Sequence, residues 1–373
     1  MPHSETDSSK HSPCLLSIII PALNEADHLP ALLGDLQAQR DIAFEIIIGD
    51  GGSSDETQTI ADAFGVGWVQ SQRGRGVQMN AAAGQASGAY YLFLHADSRI
   101  DDPYLLRKAL DALQLEARGK RRVAGHFCLQ FLRSTNRNAL AYRYVEEKTA
   151  SNREGTINGD QGLLLAKDFF HQLGGFDESL PFLEDQRMAA EIRSLGVWMT
   201  LPGSLQTSAR RFEAEGFHRR YLLMSMMMGL YSIGALVFFS RAPQVYRVQH
   251  DTGRLLLSPF FSLLWRLVCQ EWGLVGSARI FYRLGRYIRE NSWQLFFFLD
   301  VWCRPLLGAG RYPCLSFYDR RIAPCINFRI VNALAGLLCF VWYMGILAPF
   351  FWMLDFYERH KLILAKQQHE QSR

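Results

Sequence analysis

Ile48-Gly49-Asp50-Gly51-Gly52-Ser53-Ser54-Asp55 decides how the N-terminal half of this chain folds. A β-branched run, Phe44 to Gly49, predicts a strand. It runs directly into an acid, two glycines and a Ser53-Ser54-Asp55-Glu56 stretch that supplies an N-cap and first-turn acids for a helix through Phe64. The pattern repeats on either side. Upstream, Leu15 to Ile20 reads as a strand stopped by Pro21, and Asn24 offers a cap for a helix over Ala26 to Gln37, where Leu29, Leu32, Leu33 and Leu36 recur at helical spacing. Downstream come a strand at Gly67 to Gln70, the loop Arg73-Gly74-Arg75-Gly76, a small-residue helix from Val77 to Ala86, and a strand from Tyr90 to Leu94 that ends in His95-Ala96-Asp97. Short strands alternating with amphipathic stretches predict βαβ units and a largely parallel sheet.

Later elements are less regular. A helix is expected over Pro103 to Glu116, a strand over Val123 to Phe131 and a helix over Asn138 to Ala150, followed by a polar Ser151 to Gly162 loop and the apolar segment Leu163 to Ala166. A connection of that length inside a compact domain is more often functional than idle. Helix Glu184 to Leu195 and strand Val197 to Thr200 close this part, with Arg210 and Arg211 just beyond. The reading is an α/β domain over residues 14–220, preceded by a disordered tail at 1–13 and followed by a helical, membrane-associated region at 221–373.

Composition agrees with two domains. The chain has 373 residues, 49% hydrophobic and only 20% charged, which excludes a disordered, collagen-like or coiled-coil protein. The net charge of +4 hides an asymmetry, because Arg241 to Arg329 holds thirteen Arg, no Lys and five acids. Clustered Arg suits nucleic acid or an anionic membrane surface. The long apolar runs between the arginines favour membrane and disfavour nucleic acid. Seven Cys with neither close pairs nor metal-ligand spacing read as reduced thiols of a cytosolic compartment. Met1 to Ser12 has no apolar core, so a cleaved secretory signal is not expected.

In the C-terminal third, Leu222 to Phe239 is an uncharged run at the lower limit for a spanning helix, suited equally to a buried or interfacial one. Val331 to Leu354 is stronger: as a helix its residues would cover ~36 Å against a ~30 Å hydrocarbon core, so a membrane-embedded helix is expected over 331–354. Arg279, Arg283 and Arg286 share one helical face beside an apolar one, a pattern that suits an interfacial helix and equally the solvated basic face of a soluble one. Trp293 to Leu307, interrupted by Asp300, Arg304 and Pro305, reads as monotopic or re-entrant.

In an open α/β sheet, ligands bind beyond the carboxyl ends of the strands. Asn24-Glu25, Asp50 and Asp97 stand there. Capping and turn chemistry explain Ser53 to Glu56 and part of Asn24, but not Asp97, whose hard oxygen suits a Mg²⁺ or Mn²⁺ ion bridging two phosphates. The glycines do not fit the dinucleotide fingerprint, no P-loop follows a strand, and no Gly-x-Ser-x-Gly elbow is present.

Ser17-Ile18-Ile19-Ile20-Pro21-Ala22-Leu23-Asn24-Glu25, the Asp50-Gly51-Gly52-Ser53 segment, Gln78-Met79-Asn80, Leu92 to Asp97 and Glu184-Asp185 together resemble a family 2 glycosyltransferase of the GT-A fold, over roughly Leu15 to Phe217. Within that family, the Asp-Gly-Gly-Ser, Gln-Met-Asn and His-Ala-Asp variants and the Ser208-Ala209-Arg210-Arg211 segment resemble the radical-SAM/selenodomain-associated branch. The resemblance implies that Ala22, Asn24 and Glu25 line a nucleotide pocket, that Asp50 accepts a hydrogen bond from the base, most simply uracil, and that Asp97 coordinates the ion holding the diphosphate. His95 stands where the family's motif usually carries its first acid. Asp185, with Glu184 beside it, matches the acid that serves as general base, while Asp160 and Gln161, in Asn158-Gly159-Asp160-Gln161, shape the acceptor side. Arg73, Arg75, Arg210 and Arg211 are candidates to neutralise the leaving diphosphate.

The expected activity is inverting transfer from a nucleotide diphosphate sugar, UDP-linked, to a lipid or glycan hydroxyl at the cell membrane, with the catalytic domain facing the cytoplasm. The alternatives are nucleotidyl transfer on a similar fold, or a membrane-associated scaffold with a degenerate nucleotide-binding domain.

Overall fold

A computed structural model describes residues 15–119, 122–247 and 255–371. The expected tail at 1–13 lies outside the described residues. The chain forms two compact units, one of the residues up to Ser134 with Val145–Ser208, the other of Thr135–Tyr144 with the residues from Ala209 onward.

The first unit is built on an eight-stranded mixed sheet: β1 (Leu16–Ala22), β2 (Phe44–Asp50), β3 (Gly67–Gln70), β4 (Tyr90–Phe93), β5 (Ser98–Arg99), β6 (Val123–Leu132), β7 (Leu163–Ala166) and β8 (Val197–Ser208). Their spatial order is β3-β2-β1-β4-β7-β6-β8-β5. The first four are parallel, β7 is antiparallel to β4 and to β6, and β8 runs parallel to β6. This is the expected GT-A-like α/β architecture.

Ile18, Ile20, Ile46 and Ile48 pack on one face of the sheet against α1 (Leu29–Gln37), whose Leu29, Leu32, Leu33 and Leu36 are buried. Ile19, Ile47, Tyr91 and Phe93 pack on the other face against α3 (Arg75–Gln85) and Phe169, Phe170 and Met188. Between these helices in sequence lies α2 (Thr57–Phe64). The remaining helices of this unit are α4 (Leu105–Ala117), the end of α5 (Ala139–Thr149), α6 (Lys167–Leu173) and α7 (Glu184–Leu195).

Two local expectations are corrected. Pro21 lies inside β1, paired with Gly49. β1 pairs with β4 only as far as Ile19, so on that side Pro21 has no strand to which an N–H would be needed. Asn24 does not cap α1, which starts later, at Leu29, with Pro30 in its first turn and His28 at its N-cap. Instead Asn24 takes a left-handed φ of 53° and turns the chain back towards β2.

The second unit is helical: α8 (Arg210–Glu215), α9 (Phe217–Ser232), α10 (Leu236–Arg247), α11 (Ser258–Arg266), α12 (Gly273–Glu290), α13 (Trp293–Trp302), several short turns of helix, and a terminal helix that begins at Arg329. The run Leu222 to Phe239 is not one helix. It breaks at Ile233-Gly234, where Gly234 has a φ of 75°, so no element there has the length to span a bilayer. The segment Arg329–Glu358 is long and apolar enough to do so, and only 22% of its most apolar stretch is buried. The cysteines described here, Cys128, Cys269, Cys303, Cys314, Cys325 and Cys339, are all free thiols.

Candidate active site

The parallel strands β1, β2 and β3 end level with one another at Ala22, Asp50 and Gln70. β4 ends nearby at Phe93, and β7 starts opposite it at Leu163. The loop that leads into β7 therefore reaches the same sheet edge as the loops that leave β1, β2 and β4.

The first two of these loops are joined. Asn24 Oδ1 accepts from the Ser54 N–H (2.8 Å), and the Asn24 N–H donates to Ser53 Oγ (2.9 Å). The Glu25 N–H donates to Thr57 Oγ1 (3.0 Å) and that of Ala26 to Asp55 Oδ2 (3.1 Å). Asp50 is buried, and its carboxylate takes the N–H groups of Gly52 and Ser53 as well as Ser53 Oγ (2.5 Å). Its geometry thus shapes the glycine turn. Beneath the turn, Gln78 Nε2 donates to Ala22 O (2.6 Å) and Gly49 O (3.1 Å), clamping β1 to β2. A Cβ on Gly49 would lie 2.2 Å from Gln78 O, so this close packing requires glycine.

The Ser151 to Gly162 loop is fastened as firmly. Gln161 is fully buried, and its amide donates to Thr149 O (3.0 Å) and accepts from the Asn158 N–H (2.9 Å). It therefore fixes the loop from inside, with no exposed surface for a substrate. His126, also fully buried, lies 2.9 Å from Gln161 Nε2, and burial holds its imidazole below the usual histidine range. From α7, Gln186 Nε2 donates to Ile157 O (2.6 Å) and Asn158 Oδ1 (3.0 Å). Neither His126 nor Gln186 was singled out by sequence, although a Gln directly behind the Glu184-Asp185 pair was the available signal.

Those bonds hold Gly159 against Asp185. The Gly159 N–H donates to Asp185 Oδ2 (2.8 Å), and the Gln186 N–H donates to Asp185 Oδ1 (2.8 Å). A Cβ on Gly159 would come within 2.8 Å of His95 Nε2 and 3.4 Å of Asp185 Oδ2, so the imidazole and the carboxylate converge on one glycine. Leu183, just before the acids, has a φ of 65°, an uncommon conformation for a bulky residue that sets the entry into α7.

Charge is concentrated here. Arg75 Nε lies 2.7 Å from Glu184 Oε1, and Glu184 is almost wholly buried. Burial raises the Glu184 carboxyl against the pull of Arg75, and the nearby Asp185 charge adds to it. Burial works against the Arg75 guanidinium, but Glu184, Asp185 and Asp160 more than offset it, and its pKa is raised. Asp160 is pushed up to about 7 by burial and by the charges of Asp185 and Asp97. Its Oδ1 has no hydrogen-bond partner among the described residues. The half-buried Asp97 and Asp160 thus offer hard oxygen donors and an excess of negative charge. No group of three metal-ligating side chains forms among the described residues. Such a donor set would fit a hard divalent ion that keeps other oxygen ligands, not a closed protein cage.

Behind this cluster lies a pocket with His95, Asn158, Gly159 and Asp185 on its polar side and Met79, Phe93, Phe176 and Trp198 on its apolar side. Arg75, His95, Asp160, Glu184 and Asp185 are thereby brought together. Ala22, Asn24, Glu25 and Asp50 form a second cluster on the neighbouring strand ends. Arg73 is exposed in its loop, and Arg210 and Arg211 belong to the second unit.

Residues 17–156 match the sequence model described as "Glycosyl transferase family 2". A PGL/p-HBAD biosynthesis glycosyltransferase of Mycobacterium bovis (strain BCG / Pasteur 1173P2) is 39% identical over 93 residues, 23% of this chain and 36% of that protein. The succinoglycan biosynthesis protein ExoA of Rhizobium meliloti (strain 1021) is 28% identical over 201 residues, 49% of this chain and 60% of that one. The chain thus spans about a third of the length of the mycobacterial relative it matches. Among solved structures, S. aureus TarS 1-349 in complex with UDP has a TM-score of 0.44 at 16% identity, over 85% of this chain and 90% of that chain. The family match and the relatives' names support a family 2 glycosyltransferase.

Proposed function

We propose that the chain is an inverting glycosyltransferase that moves a sugar from a nucleotide diphosphate donor, UDP-linked, to a lipid or other membrane-proximal hydroxyl. The observation that carries this reading is Asp185, whose two carboxylate oxygens are aimed by backbone N–H groups into a pocket shared with His95. A positioned carboxylate of this kind can take a proton from an acceptor hydroxyl as the hydroxyl attacks the anomeric carbon. Asp97, with Asp160 beside it, would hold a Mg²⁺ or Mn²⁺ ion, which when bound would offset the charge of the diphosphate. Ala22, Asn24, Glu25 and Asp50 would form the nucleotide side, with Asp50 reaching the base only if its turn contacts loosen. Arg75 stabilises the departing nucleotide; Arg73, Arg210 and Arg211 are further candidates for that role. Glu184 acts as the partner of Arg75. The resemblance to the radical-SAM/selenodomain-associated branch belongs to this proposal. So do the domain division at residue 220, the membrane association of residues 221–373 and the cytoplasmic side of catalysis.

Asp185→Asn should lower turnover at least about a hundredfold at unchanged donor affinity. Turnover near that of the unaltered chain would exclude Asp185 as the base. The donor class is tested by thermal unfolding with UDP, GDP, CMP and dTDP, each with and without Mn²⁺. A ligand at ~100 times its Kd adds roughly 2.7 kcal/mol. A metal-dependent shift for UDP alone, lost in Asp97→Ala, is expected.

A further inference from the structure

From Ile330 to Met353 the terminal helix shows an apolar face to the outside. Ile330, Leu334, Leu338, Trp342, Ile346 and Met353 are between 47% and 74% exposed. Asn332, Gly336, Cys339 and Leu347, on the other side, are buried.

Its neighbour over the first half is α12, and the two are antiparallel with their backbones in contact. A Cβ on Gly285 would come within 2.1 Å of Asn332 O and 2.3 Å of Gly336 N, and one on Gly336 within 2.3 Å of Phe281 O. Arg289 Nε donates to Asn332 Oδ1 (2.7 Å), and the rings of Phe281 and Phe340 lie 5.0 Å apart. Each step of four residues down α12 therefore meets a step of four up the terminal helix. By that register Arg286 is level with Ala335, Arg283 with Leu338 and Arg279 with Trp342.

All three arginines are exposed, and Trp342 stands at the middle of the apolar run 331–354. If the run crossed a bilayer, Arg279 would project at its midplane and Arg283 about 6 Å away. An exposed guanidinium at that depth is among the least tolerated placements in a membrane. Laid in the surface, the same helices place every group where it is favoured. The apolar face meets acyl chains, and the arginines reach headgroup phosphates over their long side chains. The thirteen Arg against five acids of Arg241 to Arg329 complement an anionic leaflet.

We propose that the terminal helix lies in the plane of an anionic membrane surface and does not cross it, with Arg279, Arg283 and Arg286 on lipid phosphates. This rests on the reading of the chain as membrane-associated. The test is labelling, by a membrane-impermeant maleimide, of the full chain in bacterial cells, keeping either Cys325 ahead of the apolar segment Arg329–Glu358 or Gln368→Cys behind that segment as the sole cysteine. In-plane placement expects both positions to respond alike, unlabelled in intact cells and labelled after permeabilisation. Labelling of one position alone in intact cells overturns the in-plane placement and leaves membrane association standing. Recovery of the chain in the soluble fraction overturns both. Because cysteine removal can disturb folding, the unaltered sequence is also fused to green fluorescent protein at either terminus. Fluorescence from both fusions is expected, and fluorescence from the N-terminal fusion only overturns the proposal.

Discussion

Asp160 faces two acids, Asp185 and Asp97, whose charges oppose its ionisation more than Arg75 favours it. Its carboxyl is raised from the usual aspartate range to about 7 by burial and by the facing acids. Because the folded value exceeds the unfolded one, the stability it confers is fully present below about pH 4 and is lost as pH rises towards 7. In buffer free of divalent ions, the unaltered chain should lose stability over that window. Asp160→Asn should flatten the profile and be the more stable protein at pH 8, by about 2 kcal/mol after allowing for the part of the residue that stays exposed. Thermal unfolding at pH 5 and pH 8 checks this. Gly159→Ala makes a different demand, since its Cβ would press on His95 and Asp185. It should cut turnover at least about tenfold, with a melting temperature close to that of the unaltered chain, read from paired kinetics and unfolding. The acids at this site were legible because each stands at a strand end or helix start. Gln161 was legible as a polar loop residue, but its inward direction was not. Whether a loop amide faces a ligand or ties down its own backbone depends on partners such as Thr149, twelve residues away.

At the scale of elements, α7 was read to the residue because an acidic first turn and a following glycine bound it on both sides. α1 was not, because Asn24 pairs across to Ser54, thirty residues on, and only a tertiary contact decides between that and capping. The short β5 was missed, as two residues carry no periodicity. The broken Leu222 to Phe239 run shows the limit of counting apolar residues, since Gly234 ends the helix before composition changes. α7 and the Ser151 to Gly162 loop are tied together through Gln186. Gln186→Ala removes two bonds and leaves Ile157 O without its donor, so it should cost about 1 to 3 kcal/mol locally. Limited proteolysis should then cut between residues 151 and 162 sooner than in the unaltered protein, with cleavage elsewhere unchanged.

For the whole molecule, the two units are interleaved in sequence. Tyr142 packs on Phe212 and Phe217, and Tyr144 on Tyr221, Phe297 and Phe298, all within the second unit. A chain cut after Ser208 keeps the strands, the acids and the whole family match, yet strips these two tyrosines of every one of those partners. It should be aggregation-prone, and Tyr142→Ser with Tyr144→Ser in that fragment should raise the soluble yield, measured after centrifugation of the lysate. The sequence pointed to a boundary near residue 220, where composition shifts. Of the ten residues taken by the second unit from within the first, six open the ordinary amphipathic helix α5, and nothing in their composition marks them.

That interleaving also orders events during synthesis. Tyr144 leaves the ribosome long before Phe297 is made, and at about 5 to 20 residues per second the delay is roughly 8 to 30 seconds. Through that interval the aromatic ridge on α5 has no finished surface to cover it. The nascent chain then carries an uncovered apolar ridge while its strands have already been made, a natural point of engagement for a chaperone before the last helices arrive.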